Sequence, residues 1–355
     1  MPHLRALDGL RGISILAVLA YHSGLVPGGF VGVDLFFALS GFLITRLLIG
    51  EHQVHGDVRL LGFWARRALR LVPAMAVAVP LAIGVSRAIG MPLEPTWILA
   101  TLLYASNLLI GFGHVYPIGL LSHTWSLGME EQFYLLWPPL VVLALRGGAR
   151  GVCVAAAVLS LVPALLRWAY LAANPGDPYT DPELWTRIYF SPDMRFDAIA
   201  LGCLAGAASI AFAVRGRLAD RVAEGAAVVG LLWLGHVCLN ADIGTLVSRP
   251  VLFSATSLAA SAVVVAAARE TLLARLLGLA PLVALGRISY GLYLYHVIVF
   301  VGLGDQSVGI RWVAAIALAA VSWWLLERPI LRLKVRFERS PAGAERAAAA
   351  VGREG

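Results

Sequence analysis

Two ionisable residues, Arg11 and His22, lie eleven positions apart in the first apolar stretch of the chain. An α-helix turns about 100° and rises about 1.5 Å per residue, so both side chains return to one face, roughly 16 Å apart along the axis. This spacing predicts an arginine at a membrane surface and a histidine near mid-bilayer. Ionisable groups at that depth are costly and mark proton relays, substrate paths or catalytic sites; a histidine bonded to a neighbouring helix is the structural alternative.

Two further clusters follow closely. Asp34 begins the second apolar stretch, and its carboxylate could orient the His22 imidazole, although the helix dipole also favours an aspartate at a helix start. Arg67 and Arg70 are three positions apart and therefore share a helical face. Two guanidinium groups on one face suit a phosphate ligand, although positive charge is common in cytoplasmic loops of membrane proteins. The nearby Arg11, on the same side of the membrane, favours the phosphate site.

Two clusters occur later in the chain. Ser126 could cap a helix, and Glu130 in the first turn would suit the helix dipole. Glu130 is four positions from Ser126, on the same face, and would point toward the membrane interior, which favours a functional role. His296 closes a tyrosine-rich stretch whose hydroxyl groups could satisfy it, so it ranks below His22 as a catalytic candidate.

The composition indicates that these residues belong to a membrane protein. Of 355 residues, 59% are hydrophobic and only 14% are charged, which is typical of a membrane protein with several spans. The net charge of +7 comes from arginines in short loops, so it is weak evidence for nucleic-acid binding. Three well-spaced cysteines form neither a disulfide framework nor a metal-binding spacing, and no metal site is predicted.

The apolar stretches predict an all-α polytopic membrane protein. Because arginine clusters should be cytoplasmic, the pair 71–89 and 97–112 must together make one net crossing. This predicts a bundle of about ten transmembrane helices plus one re-entrant or interfacial segment, with both termini cytoplasmic. Residues 1–335 are predicted to form one membrane domain and 336–355 a disordered tail. The candidate spans are 10–25, 31–49, 71–89, 97–112, 131–145, 151–172, 196–214, 222–240, 249–268, 282–303 and 310–327.

Six ordered motifs cover the chain from about Leu4 to about Pro329. They are Arg11-x10-His22, GVDLFFALSGFLIT around Asp34, Arg67-x-x-Arg70 before Pro73, TWSLGMEEQFYLLWP with Ser126 and Glu130, SYGLYLYH ending at His296, and Glu327-Arg328-Pro329. Together they closely resemble the acyltransferase-3 family of integral membrane acyltransferases. The resemblance implies transfer of an acyl group, often acetyl, from acyl-CoA to a hydroxyl of a sugar-containing acceptor, in the inner membrane of a bacterium. Acyl-CoA would be a donor substrate, and no permanently bound cofactor is expected.

The resemblance also implies roles for the candidate residues. Arg67 and Arg70 would hold CoA phosphates, and Arg11 would guide the donor into the bundle. His22 would be the general base on the acceptor hydroxyl or would first accept the acyl group itself, and both routes stay open. Asp34 or Glu130 would stabilise the imidazolium. The expected substrate-binding residues are Trp125, Ser126, Tyr134, Arg195, Asp197, Tyr293 and His296.

Two other functions share some of these features. A transporter of a sugar or acyl-bearing metabolite would also place ionisable residues in the membrane, but would more often show paired repeat halves. A sugar-transferring enzyme would be expected to carry acidic metal-binding clusters in its loops. The acyl chain, the oligomeric state and the acceptor stay open, the last among a surface glycan, a lipid-linked sugar and a glycosylated natural product.

Overall fold

The computed structural model describes residues 5–113, 119–177 and 179–337, and these fold almost entirely into helices, with no β-strand among them. The predicted all-α fold class is confirmed. The predicted tail lies outside the described residues from position 338 onward, and the boundary at 335 stays a prediction. The α-helices are α1 (Arg5–His22), α2 (Val31–His55), α3 (Leu60–Ala88), α4 (Pro95–Leu102), α5 (Ser106–Gly111), α6 (Trp125–Ala144), α7 (Gly148–Ala173), α8 (Pro182–Phe190), α9 (Pro192–Arg195), α10 (Asp197–Ala211), α11 (Arg217–Asn240), α12 (Ile243–Ser248), α13 (Pro250–Ala267), α14 (Leu272–Leu277), α15 (Ala280–Gly302), α16 (Val308–Ser322) and α17 (Arg328–Leu331).

Several helices are long and apolar enough to cross a membrane, which confirms the multi-pass character of the chain. By length and composition, seven helical runs among the described residues qualify. One of them contains both α6 and α7, which pack against each other. The predicted count of about ten crossings stays a prediction. The seven runs are Val31–His55, Leu60–Ala88, Ser122–Ala173, Arg217–Asn240, Pro250–Ala267, Ala280–Gly302 and Val308–Lys334.

The predicted spans 71–89 and 97–112, which together should make one net crossing, differ from regular membrane helices. Segment 71–89 belongs to α3, which begins at Leu60 and contains Pro73 and Pro80. Segment 97–112 forms two short helices, α4 and α5, because the chain turns at Tyr104, whose φ of 53° lies in the left-handed region. Neither short helix has the length of about 20 residues that a crossing needs. The re-entrant or interfacial placement of this pair is a prediction that the helix bounds alone do not test.

Helices α2 and α10 touch backbone to backbone through glycines. A Cβ atom on Gly41 would lie 2.0 Å from the carbonyl oxygen of Ile199, and one on Gly202 would lie 2.1 Å from that of Ala38. No side chain fits at either position. Small residues allow this close approach, which is the usual way that membrane helices gain packing energy. The contact places the start of α2 beside the start of α10.

Helices α1 and α15 form a second close pair. A Cβ atom on Gly286 would lie 1.7 Å from the carbonyl oxygen of Asp8, so the two backbones are again in contact. From this contact both helices run on to their histidines, His22 at the end of α1 and His296 in α15. The packing of α1 on α15 therefore brings together two residues that are far apart in sequence.

A buried group of four charged residues joins α2, α7, α9 and α10. Asp34 pairs with Arg195 and Arg167 pairs with Asp197, each at 2.7 Å, and all four side chains are at most 1% exposed. The ring of Phe253 lies 4.8 Å and 4.9 Å from the two guanidinium carbons. Two cations and two anions balance one another here, as burial of charge in an apolar interior requires.

Candidate active site

A cavity of about 930 Å³, here called the basic cavity, opens among α1, α2, α3, α6 and α15. It is bounded at one end by the last turns of α2 and the first turns of α3. Five cationic side chains and two acidic ones, Glu51 and Glu130, line it, so the excess of positive charge suits an anionic ligand. The cationic side chains are Arg11, Arg66, Arg67, Arg70 and Lys334.

The two arginines predicted to hold CoA phosphates, and Arg11, which was predicted to guide the donor, line this one cavity, but they differ in their contacts. Arg11 pairs with Asp8 at 2.8 Å. Arg67 donates from Nε to Oε1 of Glu131 at 2.9 Å and lies 3.2 Å from the centre of the Tyr134 ring, so it is held by an ion pair and a cation–π contact.

Arg70, by contrast, has no hydrogen bond or ion pair to any described residue. It is only partly buried and lines the basic cavity. A guanidinium group in a cavity retains its full capacity to donate hydrogen bonds when no protein group uses it. Arg70 is therefore the arginine of the three that is most available to an anionic ligand.

Glu130 lies deeper in the basic cavity. Its Oε1 accepts a hydrogen bond from the Ser40 hydroxyl and lies 3.4 Å from the hydroxyl oxygen of Tyr134. All three residues line the cavity. The partners of Glu130 are thus hydroxyl groups of α2 and α6 and not His22, and its direction toward the membrane interior stays a prediction.

A second cavity of about 250 Å³, here called the aromatic cavity, lies against the end of α1. Seven aromatic side chains, together with His22 and His123, form most of its wall. An apolar pocket with a few polar groups is typical of a binding site for an organic ligand. The aromatic side chains are Tyr21, Phe30, Trp125, Trp185, Tyr189, Phe190 and Tyr293.

The two cavities share a wall. Val33 and Tyr293 line both of them. The Tyr293 hydroxyl lies 2.6 Å from that of Ser126 and 2.9 Å from the carbonyl oxygen of His123. Because a carbonyl oxygen only accepts, Tyr293 donates to His123 and accepts from Ser126. This wall is thin, since one hydrogen-bonded group connects a residue of the basic cavity to a residue of the aromatic cavity.

Three histidines meet beside this wall. Nε2 of His296 lies 3.2 Å from Nδ1 of His22, and their ring centres are 4.8 Å apart. The ring of His123 lies 5.2 Å from that of His296. His22 is the last residue of α1 and is exposed in the aromatic cavity, whereas His296 is fully buried behind it. Among the described residues, no group of histidine, cysteine and acidic side chains is arranged to hold a metal ion.

Comparison with known proteins identifies the family. A protein-family model described as an acyltransferase domain matches residues 4–327, nearly the whole chain. The chain belongs to the acyltransferase-3 family. The chain thus contains the acyltransferase domain of this family, and the transporter alternative finds no support.

Curated relatives of this acyltransferase come from bacteria. The chain is 30% identical over 322 residues to the O-acetyltransferase OatA of Staphylococcus aureus, an alignment that covers 84% of this chain and 51% of that protein. It is 29% identical over 314 residues to the peptidoglycan O-acetyltransferase OatA of Listeria monocytogenes, covering 83% of this chain and 49% of that protein. The chain thus spans about half the length of these relatives. No solved structure matches it.

The structure does not bring Asp34 to His22 as the sequence predicted. The expected contact between Asp34 and His22 is replaced by the ion pair between Asp34 and Arg195, and His22 instead contacts His296. The reason is that α2 turns the aspartate toward α9 and α10, where a buried guanidinium group needs a counter-charge. Asp34 is 1% exposed and lines neither cavity.

The predicted substrate-binding residues divide into two groups. Ser126 and Tyr134 line the basic cavity, Trp125 lines the aromatic cavity and Tyr293 lines both. The structure places the other three outside both cavities, fully buried, which differs from the arrangement that the sequence predicted. These are Arg195 and Asp197, which belong to the buried ion pairs, and His296, which lies behind His22.

Sequence reasoning did not single out two residues that the structure makes prominent. His123 lines the aromatic cavity, and its position one residue before the TWSLGMEEQF motif was the available signal. Arg167 balances Asp197, and an arginine inside the apolar stretch 151–172 was the signal there.

Proposed function

We propose that this chain is an integral membrane O-acyltransferase that transfers a short acyl group, with acetyl the first candidate, from acyl-CoA to a hydroxyl of a glycan. The observation that carries the proposal is that a basic cavity and an aromatic cavity containing His22 share the wall formed by Val33 and Tyr293. The names of the relatives support acetyl as the acyl group and peptidoglycan as the first acceptor to test.

The basic cavity is the proposed donor site. Coenzyme A carries phosphate groups, and the arginines of this cavity present guanidinium groups to such a ligand. Its volume, about 930 Å³, is at the upper end of the range for ligand pockets, roughly 300–1,000 Å³, as a large donor would need. With the phosphates near Arg70, the acyl end would reach inward to the wall at Tyr293.

The aromatic cavity is the proposed acceptor site. The apolar faces of sugar rings pack on aromatic side chains, and Trp125 and Trp185 provide large rings there. His22 is exposed in this cavity, so a hydroxyl of the bound sugar can approach its imidazole. The general base and the acceptor would then occupy the same side of the wall.

The reaction needs one bond formed and one broken. The acceptor oxygen, or first a nitrogen of His22, bonds to the acyl carbon while the bond between that carbon and the CoA sulfur breaks. In direct transfer, the proton of the hydroxyl passes to His22 and then to the CoA thiolate. In the two-step route, the imidazole proton passes to the thiolate when His22 is acylated, and the hydroxyl proton returns to the imidazole when the acyl group leaves, so atoms and charges balance in both. Both routes, direct transfer and an acyl-histidine intermediate, carry the acyl group through the wall between the cavities.

The proposed placement in the membrane follows the distribution of arginine. The mouth of the basic cavity carries Arg66 and Lys334, which suits a cytoplasmic surface in contact with acyl-CoA. The aromatic cavity then faces the outside, where a surface glycan would be. From the same distribution of arginine we infer about ten crossings, with both termini in the cytoplasm. The bacterial origin of the relatives supports a place in the inner membrane of a bacterium.

The test is transfer of label by the full chain in lipid nanodiscs, supplied with radiolabelled acetyl-CoA and soluble peptidoglycan fragments. We expect labelled acceptor and released CoA, and a loss of about 10²-fold or more for His22→Ala, because general-base catalysis contributes about that much. The matched control is His236→Ala, on α11 and outside both cavities, which should retain transfer within about twofold of the unchanged protein. Full activity of His22→Ala would overturn the proposal, and so would acceptor uptake with no release of CoA when the full chain is placed in sealed lipid vesicles.

A further inference from the structure

The contacts of His296 determine which of its ring nitrogens carries the proton. Nδ1 lies 2.6 Å from the carbonyl oxygen of Tyr293 and 3.2 Å from that of Leu292. Carbonyl oxygens only accept hydrogen bonds, so Nδ1 must be protonated and donate. A neutral imidazole has one N–H group, and Nε2 of His296 therefore carries a lone pair.

The same logic then applies to His22. Its Nδ1 lies 3.2 Å from that lone pair on Nε2 of His296 and 3.1 Å from the carbonyl oxygen of Val18. Both neighbours are acceptors. A proton on Nδ1 of His22 satisfies them, whereas a lone pair there would face two other lone pairs. The neutral His22 ring must therefore hold its proton on Nδ1 and leave Nε2 unprotonated.

We propose that His296 is a positioning residue that holds His22 in the tautomer whose Nε2 lone pair is available to the acceptor. This inference rests on the proposed function, in which His22 is the base or the acyl carrier. In either role the unprotonated Nε2 is the reacting atom, and His22 is exposed in the aromatic cavity where the acceptor would bind. His296, fully buried, touches no ligand and acts only through His22.

His296 also stabilises the His22 imidazolium, the role that the sequence assigned to Asp34 or Glu130. When His22 accepts a proton at Nε2, both of its nitrogens are protonated and the ring is positively charged. The lone pair of His296 then accepts a stronger, charge-assisted hydrogen bond from Nδ1 of His22. Asp34 and Glu130 are engaged with Arg195 and Ser40, so a neutral imidazole replaces the carboxylate partner.

The direct test is nitrogen NMR of the full chain in nanodiscs, with ¹⁵N in the histidine rings and the His22 signals assigned by their loss in His22→Ala. At neutral pH we expect His22 to be protonated on Nδ1 and not on Nε2. A His22 ring protonated on Nε2 in the unchanged protein would overturn the inference. This measurement needs no turnover, so a failure to detect acyl transfer would count against the proposed function and not against the tautomer.

Two substitutions separate positioning from packing. His296→Gln keeps an acceptor oxygen near the position of Nε2, while His296→Asn keeps a polar group near Nδ1 but withdraws the acceptor from His22. We expect Gln to keep the His22 tautomer and transfer within about fivefold, and Asn to mix the tautomers and lose at least about tenfold in kcat. The KM for acetyl-CoA should stay unchanged in both, since His296 lies outside the basic cavity. Equal losses in both variants, with His22 unaltered in the spectrum, would show a packing role only and overturn the inference.

Discussion

Tyr293 and Ser126 join helices α15 and α6 through a 2.6 Å hydrogen bond between their hydroxyl groups, at the wall between the two cavities. Tyr293 also donates to the carbonyl oxygen of His123, just before α6 begins. The Tyr293 ring is therefore fixed at its hydroxyl end by two contacts to the same region of the chain. Tyr293 and Val33 line both cavities, so an acyl group that moved from one cavity to the other would pass close to them.

Removing the Tyr293 hydroxyl should loosen the wall without opening a large space. Tyr293→Phe leaves the Ser126 hydroxyl and the His123 carbonyl without their partner, and we expect a loss of about 1 kcal/mol in stability. We expect kcat to fall about tenfold, since a displacement of about 1 Å near reacting groups costs that much or more. Thermal unfolding in detergent and transfer kinetics measure the two effects.

Tyr295→Phe is the matched control. Tyr295 lies on the same helix and lines neither cavity, and its hydroxyl lies 2.8 Å from that of Ser322 and 3.3 Å from the carbonyl oxygen of Ala74. Its loss should leave kcat within about twofold. An unchanged kcat in Tyr293→Phe would mean that the hydroxyl contacts at the wall do not matter for transfer.

Arg70 should contribute to donor binding more than to stability. It lines the basic cavity and has no described hydrogen bond or ion pair, so Arg70→Ala removes no contact that holds the fold. We expect the KM for acetyl-CoA to rise about tenfold or more, as the loss of a hydrogen bond to a charged group costs about 1.5–3 kcal/mol, with little change in the melting temperature. Steady-state kinetics over a range of acetyl-CoA concentrations provide the measurement.

Two arginines serve as comparisons. Arg67→Ala should raise KM and also lower the melting temperature, because Arg67 holds Glu131 and lies on the Tyr134 ring. Arg150→Ala, at an exposed position outside both cavities, should change neither quantity. If Arg70→Ala and Arg150→Ala have the same KM, the phosphates bind elsewhere.

Local periodicity explains which parts of the site could be predicted from the sequence. Arg67 and Arg70 share a helical face by spacing alone, and the structure places both in the same cavity as Arg11. Apolar stretches likewise predicted an all-helical membrane protein. These predictions needed only interactions within one helix or between a helix and its solvent.

Pairing between distant helices could not be predicted in this way. His22 contacts a histidine 274 positions away, and Asp34 pairs with an arginine 161 positions away. The sequence indicates that each buried ionisable group needs a partner, but several candidates satisfy that need equally well until the helices pack. Glycine contacts such as that of Gly286 with Asp8 decide the pairing, and they appear only in the folded bundle.

Asp34 should behave as a structural residue and not as part of the acid–base machinery. Asp34→Asn removes one anion from a fully buried pair and leaves the Arg195 cation without its counter-charge. We expect a loss of about 3–5 kcal/mol, seen as a large fall in the melting temperature and in the yield of folded protein. The double variant Asp34→Leu with Arg195→Met removes both charges, and it should recover much of that loss because an apolar pair avoids the cost of burying charge.

Asp193→Asn provides the control for the effect of burial. It breaks the ion pair between Asp193 and Arg187, which has two short contacts of 2.6 Å and 2.9 Å but leaves the aspartate side chain 37% exposed. Water competes for such a pair, so the expected loss is about 1 kcal/mol or less. A different result would restore the original expectation for Asp34: if Asp34→Asn keeps the melting temperature of the unchanged protein and loses transfer, its carboxylate takes part in the chemistry beside His22.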